Sequence, residues 1–171
     1  SQDIQSAINS ASDGDTVLVP SGNCVWSPKG TGAPAVDFKE KSIILKGAGI
    51  DRTIITFIGG TSYTWPHTAE GGISISGSSK KFFTISGFTF RSDESSVTEL
   101  IGIYGPWRNW RIYDNKFNLI GNRAFIINGY SDNTYGLIDH NTFAPPITGQ
   151  QMVIKNSASV NGIPGVKDWL L

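Results

Sequence analysis

Apolar positions follow two different rhythms along this chain. In the opening SQDIQSAINSASDGD, Ile4, Ala7, Ile8 and Ala11 recur at helical spacing on one face, and Asp13-Gly14 supplies a stop signal. Beyond that point the helical period disappears. Short segments rich in isoleucine, valine, phenylalanine and threonine follow, each closed by glycine, asparagine or serine, which is the punctuation of short strands.

The segments repeat. Ile112-Tyr113-Asp114-Asn115-Lys116-Phe117 returns as Ile138-Asp139-His140-Asn141-Thr142-Phe143, a shift of 26, and Ile85-Ser86-Gly87-Phe88-Thr89-Phe90 precedes it at a shift of 27. Leu45-Lys46-Gly47-Ala48-Gly49 lies 40 residues earlier, and Val19, in the segment from Thr16 to Pro20, a further 26. A second column runs through Ile75, Ile103, Ile127 and Ile154, beginning near Val36. Periods of about 20–50 residues signal stacked repeats, each too small to bury its own apolar face. Two to three short strands per repeat, returning in register, predict an all-β parallel solenoid of about five coils, each adding roughly 4.8 Å of length. Ile85, Ile112 and Ile138 should form one inward row and Phe90, Phe117 and Phe143 another. Asn115 and Asn141 should take the bend, where asparagine tolerates left-handed backbone and its amide can bond the coil beside it. The opening helix should cap the first coil. One domain is expected over 1–171: residues 1–14 as helical cap, 15–156 as coils, and 157–171 as either a C-terminal cap or a truncated coil.

The phrases DIQSAINSASDGDTVLVPSG, IILKGAGIDRTIIT, FTISGFTF and GLIDHNTF resemble the pectin-lyase-like superfamily of single-stranded right-handed parallel β-helices. In that superfamily a capping helix of the form D-x-Q-x-A-I-x-x-A leads into G-D-T-V-x-V-P-x-G. The resemblance runs from Asp3 to about Asn156 and is closest to uncharacterised secreted members. It implies a secreted or cell-surface setting, a polysaccharide or oligosaccharide partner, and further coils beyond this segment. Calcium enters only by this analogy, because lyases of the superfamily hold it with aspartates beside a proton-abstracting arginine or lysine.

The totals narrow the choices. Fourteen basic and fourteen acidic residues cancel, so no net field favours nucleic acid, and no apolar run is long enough for a membrane-inserted helix. Cys24 is the single cysteine, which excludes an intrachain disulfide, and no signal peptide is present in this chain.

Candidate chemistry is sparse. The outward positions of the second column, Ser76, Tyr104, Asn128 and Lys155, hold no carboxylate, so no metal set is expected there. Asp114 and Asp139, one coil apart, are weak candidates for a hydrolytic pair. His140 beside them is a candidate general base without an identifiable nucleophile, and Lys155 with Arg108 and Arg123 a candidate proton abstractor. The loops entering the first column read GSSKKF, GPWRNWR and GYSDNTYG. Stacked, they would collect Lys80, Lys81, Trp107, Arg108, Trp110, Tyr130, Asp132 and Tyr135 on one flank. Rings offer flat faces to sugars, and cations pair with carboxylate or sulfate, so this flank is the expected glycan surface. Against that stands the option that Trp110 or Tyr135 turns inward as filler. Trp65 and His67, in the insertion FIGGTSYTWPHTAEGG, are secondary candidates.

The expectation is therefore a carbohydrate-associated β-helix that binds a polysaccharide through this flank, with cleavage as a lyase or hydrolase as its enzymatic option. The alternative is a non-catalytic structural or adhesive β-helix segment. The apolar ending VNGIPGVKDWLL leaves oligomerisation through an open C-terminal coil as a further option.

Overall fold

The computed structural model describes residues 1–27, 33–58, 71–77, 81–92, 99–119, 123–129, 135–144 and 152–156. One helix, α1 (Gln2–Ser10), precedes fifteen strands: β1 (Thr16–Val19), β2 (Gly22–Trp26), β3 (Val36–Asp37), β4 (Ile44–Gly47), β5 (Thr53–Phe57), β6 (Gly71–Ser76), β7 (Thr84–Ser86), β8 (Thr89–Ser92), β9 (Glu99–Tyr104), β10 (Arg108–Tyr113), β11 (Lys116–Leu119), β12 (Arg123–Gly129), β13 (Tyr135–Asp139), β14 (Thr142–Phe143) and β15 (Met152–Asn156). Every third strand joins the same sheet. The orders are β1-β4-β7-β10-β13 in the first sheet, β2-β5-β8-β11-β14 in the second and β3-β6-β9-β12-β15 in the third, with all pairs parallel. This is a parallel β-solenoid.

Its length departs from the expectation of about five coils. About three turns, β4–β6, β7–β9 and β10–β12, have a neighbour on both sides. The first and last strand sets are abbreviated ends, because β3 and β14 are two-residue strands. Residues 157–171, expected as cap or truncated coil, lie outside the described residues.

The inward rows follow the repeat. Leu45, Ile85 and Ile112 are fully buried in register, with Ile138 packed against them. Phe90, Phe117 and Phe143 stack ring on ring at centroid distances of 5.5 and 5.2 Å. Ile75 and Ile103 are buried, and Ile127 and Ile154 continue their row in strand register. One assignment shifts: Leu45 pairs with Val17, not Val19, because β1 enters the sheet two residues earlier than the phrase spacing implies.

The bend also differs in one detail. The left-handed residues are Asp114 (φ 51°), His140 (φ 54°) and Gly87 (φ 78°), one position before the asparagine column. The asparagines contribute their amides. Asn115 is wholly buried; its Oδ1 accepts from the Phe88 N–H (3.1 Å) and its Nδ2 donates to the carbonyls of Ile85 (3.0 Å) and Tyr113 (2.9 Å). Asn141 repeats the pattern one turn on, accepting from the Asn115 N–H (3.1 Å) and donating to Ile112 (2.8 Å) and Asp139 (3.0 Å) carbonyls. A ladder of side-chain amides thus stitches the corner.

Helix α1 caps the first turn, as expected, but its contact face is not the simple apolar one. Ile8 is buried, Ile4 and Ala11 are partly so, and Ala7 is exposed; the helix ends at Ser10, short of Asp13-Gly14. Gln5 takes the central position. Its side-chain amide donates to the Asp37 carbonyl (2.9 Å) and accepts from the Asp37 N–H (2.7 Å), pairing with the edge of β3 as a neighbouring strand would. Lys41 Nζ closes the helix C-terminus on the carbonyls of Ile8, Asn9 and Ala11 at 2.6–3.0 Å.

Candidate functional site

The loop flank expected to carry the binding surface is largely interior. Strand parity decides it: Ile112 points inward in β10, so Trp110, two residues earlier, does too. Trp110 is 1% and Trp107 0% exposed. Trp110 lies parallel to Phe83 at 5.7 Å, and Trp107 meets the same ring edge-on at 5.6 Å while its Nε1 donates to the Tyr104 carbonyl (3.0 Å). A β-carbon on Gly136, in the next turn, would collide with the Trp110 ring, so that glycine is the space the indole fills. Neither tryptophan can offer a face to a sugar, and both are corrected from binding residues to core. Arg108 and Tyr135 remain at the surface, with the guanidinium over the tyrosine ring at 5.7 Å. Lys81 is engaged with Asp13 (2.7 Å). Lys80, Trp65, His67, Tyr130 and Asp132 lie outside the described residues, as do the side chains of Arg123 and Lys155.

The outward face of the first sheet holds the better-organised group. In register across four strands stand Lys46 (β4), Ser86 (β7), Tyr113 (β10) and Asp139 (β13). Asp139 accepts from Arg111 through two bonds, Nε to Oδ1 (2.8 Å) and Nη2 to Oδ2 (2.5 Å), and its Oδ2 also meets His140 Nδ1 (2.6 Å). The fork-on-carboxylate geometry fixes Arg111, whose guanidinium then lies 4.2 Å from the centre of the Tyr113 ring. The chain His140–Asp139–Arg111–Tyr113 holds the tyrosine as a wall.

That wall borders an open groove of about 390 Å³, lined by Lys46, Ser86, Tyr113, Asp114 and the 47–50 turn. Its floor is backbone. A side chain at Gly47 would strike the Gly87 carbonyl of the next turn, so the two turns approach this closely only with glycine here. Ser86 is buried at its base, and Lys46 is exposed at its rim. The volume falls within the roughly 300–1,000 Å³ typical of small-ligand sites.

Catalytic expectations fare differently. Arg111 and then His140 hold the Asp139 carboxyl down to about 2, from an ordinary 3.8. A glycosidic acid needs the opposite, a carboxyl kept protonated near neutrality, so Asp139 is not the acid of a hydrolytic pair. Asp114 stands on the left-handed bend facing the groove, not beside Asp139 in its ion pair. His140 is exposed and turned to Asp139, and among the described residues no hydroxyl or thiol is bonded to it. Among the described residues no group of three or more His, Cys, Asp or Glu is placed to hold a metal ion. No helix among the described residues is long and apolar enough to cross a membrane.

Lys46 is a groove residue outside the expected candidates, although Leu45-Lys46-Gly47 already matches Ile85-Ser86-Gly87 in the repeat. Comparison with known proteins leaves the geometry to speak for itself: no family model matches the chain, and neither a curated protein nor a solved structure does.

Proposed function

We propose that this chain is a polysaccharide-binding β-helix, wound right-handed in the manner of the pectin-lyase-like superfamily and working outside the cell or at its surface. The winding follows the hand that strand–crossover–strand connections take. The superfamily reading rests on the helix-to-strand phrase running from Asp3 to Gly22. The observation that carries the function is the groove on the first sheet. It crosses β4, β7 and β10 along the solenoid axis, so an extended chain can lie in it. It combines an aromatic wall, a hydroxyl and two charged side chains over a rigid backbone floor. We assign binding and no reaction, because the best-connected carboxylate is locked in its ion pair with Arg111.

The test is affinity electrophoresis of the intact chain through gels containing pectate, alginate, chondroitin sulfate or neutral glucans. At least one should retard it. Tyr113→Ala and Lys46→Gln should abolish retardation without lowering the melting temperature, while Asn118→Ala, on the outer side of the second sheet, should not. Retardation that survives Tyr113→Ala would place binding elsewhere. Free migration through every gel would leave a structural or adhesive solenoid as the better reading.

A further inference from the structure

Phe82 and Tyr135 are the two exposed aromatic residues among those whose burial is described, at 37% and 44%. Both stand at the entry edge of the first sheet, at the other end of its strands from the corner that forms the groove. Strand parity turns both outward. Phe83 and Ile85 are buried, so Phe82 shares the outer face with Thr84 and Ser86. Gly136 lies against the inward Trp110, so Tyr135 faces out. Strand β10 runs between them. Its Arg108 is in register with Tyr135, and the Arg108 N–H donates to the Lys81 carbonyl (3.0 Å). The register with β13 then slips between Arg108 and Trp110, which leaves Asn109 as a bulge with left-handed backbone (φ 56°) and an exposed side chain. Bulges of this kind re-aim a side chain at the edge of a sheet. The described cations of this edge are engaged, Lys81 with Asp13 (2.7 Å) and Arg108 with the Tyr135 ring (5.7 Å). What the edge offers a ligand is ring surface and one amide.

We propose that this edge is a second sugar subsite, taking neutral pyranose units of the bound polysaccharide against Phe82 and Tyr135, with their hydroxyls on Asn109. This rests on the binding function above and extends its footprint across the first sheet. A single exposed ring is ordinary on a protein surface. Here the exposed rings are confined to one edge, beside an exposed amide, on the sheet that also carries the groove. A pyranose presents C–H groups that suit a ring face and hydroxyls that suit an amide, which both donates and accepts. Arg108 over Tyr135 holds that ring in place, so less freedom is lost when a sugar stacks on it.

Affinity electrophoresis of the full chain tests this in whichever of the gels above retards the wild type most. Phe82→Leu and Tyr135→Leu keep apolar bulk and remove the ring, and Asn109→Gly keeps the left-handed backbone and removes the amide. Each ring variant should weaken retention about two- to tenfold, the worth of one aromatic contact, at an unchanged melting temperature. Asn109→Gly should weaken it too, and Tyr135→Phe should not. The losses should persist at about 0.5 M salt, where charge contacts are screened. Retention untouched by all three variants would overturn the second subsite, and its abolition by Tyr113→Ala in the same gel would leave the groove reading standing. Free migration of the wild-type chain through every gel would overturn the binding function and this subsite with it.

Discussion

Replacing Asn115 with alanine tests the corner ladder directly. The wild-type amide accepts from the Phe88 N–H and donates to two carbonyls, all inside a wholly buried bend. Alanine orphans the Phe88 N–H, at about 1–3 kcal/mol, and removes two amide donations at about 1 kcal/mol each, so the expected loss is about 3–5 kcal/mol. Asn141 makes the same kind of bonds one turn later but is only half-buried, and water can take over from its amide. Asn141→Ala should therefore cost only about 1–2 kcal/mol. Urea unfolding, followed in parallel by far-UV circular dichroism and tryptophan fluorescence, measures both variants and checks that the stack unfolds as one unit. A domain of ordinary stability has only about 5–15 kcal/mol in total, so Asn115→Ala should be visibly marginal. A loss below about 1 kcal/mol, or a greater loss in Asn141→Ala, would refute the claim that buried amide bonds hold the corner.

Three further outcomes follow from the geometry. Trp107→Ala should lose about 3–5 kcal/mol of stability as a core truncation. Trp107→Phe should keep any glycan retardation, and its loss in a fully stable variant would sink the burial assignment. Gly136→Ala should displace the Trp110 indole at about 1–3 kcal/mol by urea unfolding, and should cost clearly less in a Trp110→Ala background; equal costs would dissociate the two residues. The Asp139 carboxyl is held lower in the folded chain than in the unfolded one, so its contribution to stability is complete above pH 3.8 and disappears as pH falls toward 2. Asp139→Asn should flatten the stability profile across that window, and an unchanged slope would show that the Arg111 and His140 contacts do not form in solution.

Much of the fold was legible because each row of a solenoid is written into the chain at a fixed interval. The isoleucine and phenylalanine rows can be named from the repeat alone, since in-register stacking puts like side chains on like. The groove was harder. Lys46 falls in a phrase that the repeat already aligns with Ser86, but one outward lysine on a short strand carries no sign of a groove. Trp107 and Trp110 looked like surface rings because GPWRNWR reads as a polar loop. Yet the inward assignment of Ile112 already implied that Trp110, two residues back on the same strand, pointed inward as well. What no pattern could supply was the role of Gln5. A glutamine on a helix face is ordinarily solvated, and only the position of Asp37 beneath it reveals the pairing.

That pairing occupies backbone groups that the edge of a parallel sheet would otherwise present. A stack of parallel strands is a template at each end, and the exposed N–H and C=O of an outermost strand can recruit the next chain head-to-tail into a fibre. With one amide group Gln5 answers both backbone positions of Asp37, so an incoming strand finds that register already taken. Leucine at this position would pack equally well on the helix and leave the template open. The side chain that looks least at home on an apolar helix face thus fills the two hydrogen-bonding positions that an added strand would use at Asp37.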